Sequence, residues 1–262
     1  MLSISLFIAL LIDRLMPGLR TTSTETLFPR YFRWVEQNLF SRHLPPRLIP
    51  LLMLMPALLL VMLGMVFFKI TMLILVFYTV IAFVCLEPAA INEEVDDWLN
   101  NLQDRESQNS ASPDELFSRA NRSLYTVVFW LVIGGPLMAV SYRCLEKLSF
   151  QTSLYAHDKW KPDIARLLSW LEWLPALISS YVFLVAGNFE AGLKQLRQMP
   201  VFNANPEALN ALRLQQVGKA VLQTGDRADD YSSSDFLRRC RGLLLRSLVL
   251  WLLFAALLDY WF

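Results

Sequence analysis

Three stretches of this 262-residue chain, Leu48–Leu86, Leu124–Tyr142 and Leu243–Phe262, are so apolar and so long that only a lipid bilayer accommodates them. The hydrocarbon core is about 30 Å thick and takes roughly 20 helical residues to cross. Leu48–Leu86 is long enough for two crossings, and Lys69, the single charge near its middle, marks the turn between them. With 55% hydrophobic and 18% charged residues, one integral membrane domain over residues 1–262 is expected. Its fold class is all-α, a polytopic helix bundle of about six spans, since lipid leaves no solvent partner for an open backbone. The expected spans cover residues 2–13, 48–68, 70–86, 124–142, 164–187 and 243–262, with polar segments at 87–122 and 188–241.

The apolar run Leu2–Ile12 has no basic residue before it and is followed by Asp13, Arg14, Met16 and Pro17 rather than a small-residue cleavage site. It reads as a short first helix, not a secretion signal. Between Thr21 and Arg47, arginines alternate with Leu27, Phe28, Tyr31, Phe32, Trp34, Val35, Leu39 and Phe40 at helical spacing. Such a helix lies along the membrane surface, rings in the acyl boundary and guanidinium groups at the phosphates, or else packs its apolar face on the polar domain. Pro45-Pro46 then redirects the chain into the bilayer.

The polar segment 87–122 holds nine acidic residues against three arginines. Its middle, 104–113, reads as a loop, flanked by helical pieces over 93–102 and from the helix-start signature Ser112-Pro113-Asp114-Glu115. Arg143–Asp163 reads as a polar connection, and Pro175 is expected to kink the helix that follows. The segment 188–241 reads as largely helical, with a turn at Gly225-Asp226 and a cap at Ser234-Asp235.

If every span crosses, 17 of the Lys and Arg residues share the side that holds both large polar segments, against 5 on the other. The positive-inside rule then places those segments in the cytoplasm of a multi-pass inner-membrane protein. A re-entrant hairpin tipped at Gly134-Gly135-Pro136 would flip all that follows and worsen the count.

A net charge of +1 excludes the basic surface that a nucleic-acid partner demands. The cysteines, Cys85, Cys144 and Cys240, are odd in number and far apart, so they read as small packing residues without a disulfide framework. With only His43 and His157 as imidazoles, no metal site and no cofactor is expected. No phosphate-binding glycine loop, dinucleotide fingerprint or nucleophile elbow is present, so catalytic residues are not identifiable.

The polar groups that stand out do so because their position is costly. Asp13, Arg166, Glu172, Arg246 and Asp259 lie in or at the ends of apolar segments, where a mid-membrane charge costs about 2.5–3.5 kcal/mol. Snorkelling to water accounts for Asp13 and Asp259 at helix ends, whereas Glu172 and Arg166 pose a choice between the interface and pairing across helices. The densest local feature runs from Asn121 and Arg122 through Phe129-Trp130 and Gly134-Gly135-Pro136 to Tyr142-Arg143. Its glycines would permit close helix approach, and Pro136 loosens a backbone hydrogen bond. A lipid or ligand cleft lined by Asn121, Arg122, Trp130, Gly134, Gly135, Pro136, Tyr142, Arg143 and Pro175 is the sharper alternative to simple packing.

That block, with Leu168–Trp173, Leu174-Pro175-Ala176 and Ala186-Gly187-Asn188-Phe189, resembles the AmpE family of bacterial inner-membrane proteins, over about Ala120–Arg197. The wider relatives are the CobD/CbiB cobalamin-biosynthesis proteins. The resemblance implies a regulatory membrane protein associated with β-lactamase induction and the sensing of cell-wall state. Its implied partners are the lipid bilayer, a cell-wall fragment or lipid-like ligand, and other inner-membrane proteins. The cobalamin-type amide synthases carry an Asn-Thr-x-Asp run after the Tyr-Arg and an acid-rich stretch before the Phe-Trp. Here those places hold Glu146–Ser149 and Ser118–Ser123, Leu177 stands for an arginine and Asn188 for an aspartate, so that activity is not carried over. An amide synthase of that type remains the alternative and would show an acid-lined cleft at Arg119–Tyr142. A small transporter is a third reading, and would show internal repeats or several polar residues at mid-membrane.

Overall fold

A computed structural model describes residues 2–15, 27–35, 49–67, 71–86, 115–150, 161–202, 206–222 and 234–261. Every regular element among them is helical. In chain order these are α1 (Leu2–Leu15), α2 (27–35), α3 (Ile49–Phe67), α4 (Thr71–Cys85), α5 (Glu115–Ala120), a π turn (Asn121–Tyr125) and α6 (Thr126–Phe150). They continue with α7 (Lys161–Ala186), α8 (Phe189–Arg197), α9 (Pro206–Leu222) and α10 (Ser234–Trp261).

Three stretches are long and apolar enough to cross a membrane: Glu115–Ser149, Pro162–Ala186 and Phe236–Asp259. The apolar parts of α3 and α4, Leu54–Val66 and Leu73–Cys85, are shorter, and α1 has 14 residues. The expected turn at Lys69, the helix at 93–102, the loop at 104–113, the Pro45-Pro46 break and the turn at Gly225-Asp226 lie outside the described residues.

The chain divides into two compact units, one drawn from Met1–Leu86, Val127–Leu168 and Leu258–Phe262, the other from Glu87–Thr126 and Ser169–Leu257. In the first unit, α1 packs on α4 through buried Leu6 and Ala9, and the Ser5 hydroxyl donates to the Leu75 carbonyl at 3.2 Å. Asp259 accepts from the Ser3 amide (3.3 Å) and hydroxyl (3.0 Å), so one of the first-turn N–H groups that α1 cannot satisfy internally gains an anionic partner. Asp259 therefore holds the start of α1 rather than simply snorkelling to water. Within α2, Phe28, Phe32 and Val35 are buried while Arg30 and Arg33 are exposed, as an amphipathic helix requires. Its Tyr31 hydroxyl accepts from the Ala57 amide at 3.0 Å, immediately after Pro56 in α3. Burial pushes the Tyr31 phenol up to about 12, with the Ala57 bond opposing it.

The 124–142 boundaries expected from hydropathy are too narrow. The helical run begins at Glu115 and continues to Phe150, so Arg143–Phe150, expected as connection, is helix. Its one interruption is Gly135, with φ +67° and ψ −167°. A residue before proline is driven out of the helical region by the proline ring, and only glycine is at ease in the region Gly135 occupies. The glycine pair does not serve close helix approach. A Cβ at Gly134 would meet Met138 of the same helix, and one at Gly135 would find nothing within 4 Å among the described residues. α7 keeps its helical assignment through Pro175.

In the second unit, α8 and α9 pack together, Gln195 Nε2 donating to Gln216 Oε1 at 2.8 Å. Asn188 caps α8 by accepting from the Ala191 amide and gives its own N–H to the Val221 carbonyl at 3.0 Å. α9 lies against α5, with the Phe117 ring seated where a side chain on Gly218 would be.

Candidate functional site

The sequence block around Asn121 and the block around Pro175 meet in the second unit. The π turn accommodates one residue more than an α turn and re-aims the side chains that follow. From it, Arg122 projects Nε and Nη2 onto the two carboxylate oxygens of Glu172, at 2.8 and 3.3 Å. Two parallel charge-assisted bonds form the fork geometry that favours arginine over lysine. The Glu172 side chain is 7% exposed and that of Arg122 is 32% exposed, so the pair sits at the edge of an apolar helix contact. Of the two explanations for Glu172, pairing across helices is the one realised. Arg166, its companion in the sequence, is exposed.

One residue earlier in the same turn, buried Asn121 donates through Nδ2 to the Thr126 hydroxyl (3.3 Å) and accepts at Oδ1 from the Ser179 hydroxyl (2.8 Å). Ser179 lies one helical turn beyond Pro175 on α7, and Pro175 itself is buried. Tyr125 closes the turn. Its hydroxyl donates to the Leu244 carbonyl at 2.9 Å, its ring stacks on Trp251 at 6.1 Å with an 11° interplanar angle, and Phe183 meets it edge-on. Four residues of the π turn thus have polar assignments, counting the Ser123 hydroxyl, which donates to the Arg119 carbonyl at 2.8 Å.

Lower on α7, the Ser169 carbonyl accepts from Asn210 Nδ2 at 2.9 Å. Arg213 of α9 is 1% exposed and donates through Nη2 to the carbonyls of Pro200 (2.8 Å) and Val201 (3.1 Å), and the Val201 carbonyl also accepts from the Trp173 indole at 3.1 Å. Burial lowers the pKa of the Arg213 guanidinium.

The remaining expected cleft residues, Trp130, Gly134, Gly135, Pro136, Tyr142 and Arg143, belong to the first unit, along α6. Arg143 is wholly buried and pairs through Nη1 with Glu146 one turn on. Tyr142 is buried beside it, and the Trp130 indole N–H finds no acceptor among the described residues. Of the other costly charges, Asp13 is buried, and Arg246 is exposed with Nε donating to the Gly242 carbonyl. The cysteines are buried free thiols. No group of three or more His, Cys, Asp or Glu converges among the described residues.

Thr126, Ser179, Glu146, Asn210 and Arg213 were not singled out from the sequence. Ser179 and Thr126 carry no visible cost in an apolar helix, and Arg213 lies in a segment polar enough to hide it. No family model matches the chain, and neither a curated protein nor a solved structure does.

Proposed function

We propose that this chain is a multi-pass regulatory protein of the bacterial inner membrane, of the AmpE kind, built as one membrane-embedded protein of about six crossings with segments 87–122 and 188–241 on the cytoplasmic face. The observation that carries the regulatory reading is the Arg122–Glu172 ion pair, because it joins a π turn to α7 within otherwise apolar surroundings. π turns inside helices are frequent at functional sites. A charge pair of this kind is also a natural bistable element. Anything anionic that competes for Arg122 takes both charge-assisted bonds from a Glu172 carboxylate that is 7% exposed, a change that favours re-packing of the helices. A cell-wall fragment or lipid-like ligand, or another inner-membrane protein, is the proposed input.

The test is induction of β-lactamase in a bacterial host made dependent on this chain, with its membrane abundance followed in parallel. Arg122→Gln and Glu172→Gln should each shift induction, and the exchanged pair Arg122→Glu with Glu172→Arg should bring it back toward the parent. Normal induction by both single variants at parental abundance would overturn the reading.

A further inference from the structure

We infer that α7, α9 and the turn 199–202 enclose a binding site for a phosphate group, held by Arg213 and Asn210. Arg213 is 1% exposed, and a guanidinium carries five N–H donors and keeps its proton at any cellular pH. Its Nη2 serves the carbonyls of Pro200 and Val201 at 2.8 and 3.1 Å. Nε and Nη1 are closed to solvent, and neither has an acceptor among the described residues. Two neutral carbonyls thus meet part of the hydrogen-bonding capacity of this cation and none of its charge. The described side chain whose field acts on it is Tyr181 of α7, a phenol rather than a carboxylate. Glu172, the acid beside Trp173 on α7, is engaged by Arg122. A buried cation in that condition is strongly destabilising until an anion joins it.

Asn210 decides what kind of anion. It lies one helical turn before Arg213 on the same face of α9 and is 4% exposed. Its Nδ2 donates to the Ser169 carbonyl at 2.9 Å, which orients the amide, and Oδ1 is left buried with no donor among the described residues. Ser169 and Trp173 are one turn apart on α7, and the Trp173 indole shares the Val201 carbonyl with Arg213, so the free ends of Asn210 and Arg213 belong to one α7–α9 contact. The unmatched set is N–H donors bearing a positive charge, together with one acceptor. At neutral pH a carboxylate or sulfate brings acceptors only. A phosphate carrying one proton brings charged oxygens for Arg213 and an O–H for Asn210 Oδ1. The Phe202 and Trp173 rings, 4.5 Å apart between centroids, lend the site apolar surroundings in which such bonds gain strength. Because these atoms are closed to solvent, phosphate enters by lifting the turn, whose carbonyls Arg213 releases for a charged acceptor. The site does not depend on the regulatory reading above.

Equilibrium dialysis of the full chain in detergent against radiolabelled inorganic phosphate tests the site, with sulfate and glycerol 3-phosphate as competitors at constant ionic strength. The parent should bind phosphate saturably, at about one per chain, and sulfate should compete severalfold less well than unlabelled phosphate. Arg213→Met should abolish saturable binding. Arg213→Lys, which keeps the charge with fewer donors, should weaken it severalfold and serves in place of the methionine variant where that one does not fold. Competition by glycerol 3-phosphate would identify a phosphate monoester as the source and its failure free phosphate, the site standing in both cases. Absence of saturable binding to the parent would overturn the site, as would binding that survives Arg213→Met unchanged. Equal competition by sulfate would overturn the assignment to phosphate.

Discussion

Replacing Gly135 by alanine should destabilise the protein through the backbone alone. At φ +67° and ψ −167°, Gly135 occupies a region essentially reserved for glycine, and holding another residue there costs about 1–3 kcal/mol. Packing contributes nothing, since an added Cβ finds no described atom within 4 Å. The cause of the strained position is Pro136, whose ring disfavours helical geometry at the residue before it. The double variant Gly135→Ala with Pro136→Ala should consequently recover stability, because residue 135 can then return to helix and the missing amide is restored. Thermal unfolding in a fixed detergent reads both. At about 2–4 °C per kcal/mol for a chain of this size, the single variant should lower Tm by roughly 2–12 °C. If Gly135→Ala melts with the parent, the backbone assignment fails. If the double variant is no better than the single, proline is not the reason for it.

Glu172→Gln removes the charge but keeps the shape, and Arg122→Gln takes the charged half of the fork from a buried carboxylate, so the second should cost more, about 2–3 kcal/mol by the same thermal assay. Tyr125→Phe removes the hydroxyl that donates to the Leu244 carbonyl and should cost about 1 kcal/mol, whereas Tyr125→Ala also removes the ring stacked on Trp251 and should cost about 3–5 kcal/mol. Tyr31 supplies a pH test. Burial raises its folded pKa from 10.0 to about 12, so its contribution is intact below pH 10 and is lost as pH climbs toward 12. Tyr31→Phe should flatten the alkaline decline of Tm over that window, and an identical decline in both proteins would remove Tyr31 from the explanation.

Much of the helical framework could be read from hydropathy because lipid penalises every open backbone group and every unpaired charge. The apolar runs located helices at Ile49–Phe67, Thr71–Cys85 and Lys161–Ala186. The end of the helix carrying Gly135 was not legible for a physical reason. Arg143 and Glu146 look like the start of a polar connection when each is weighed as a separate charge, but one helical turn apart they neutralise each other, so the helix carries both inside.

The candidate site divides along the same line. Its costly members, Asn121, Arg122 and Glu172, were visible because an apolar context makes a polar side chain conspicuous, whereas the pairing of residues 50 positions apart depends on helix register, which hydropathy does not encode. The π turn sharpens the point. One extra residue in a helical turn rotates everything after it, so a wheel drawn from Glu115 at a constant period misplaces Arg122 and Tyr125. Arg122 meets Glu172 and Tyr125 meets Leu244 from within that turn. Straightening the turn into α-helix would uncouple both at once. Their place in one turn is why these residues are better understood as one unit than as a series of separate contacts.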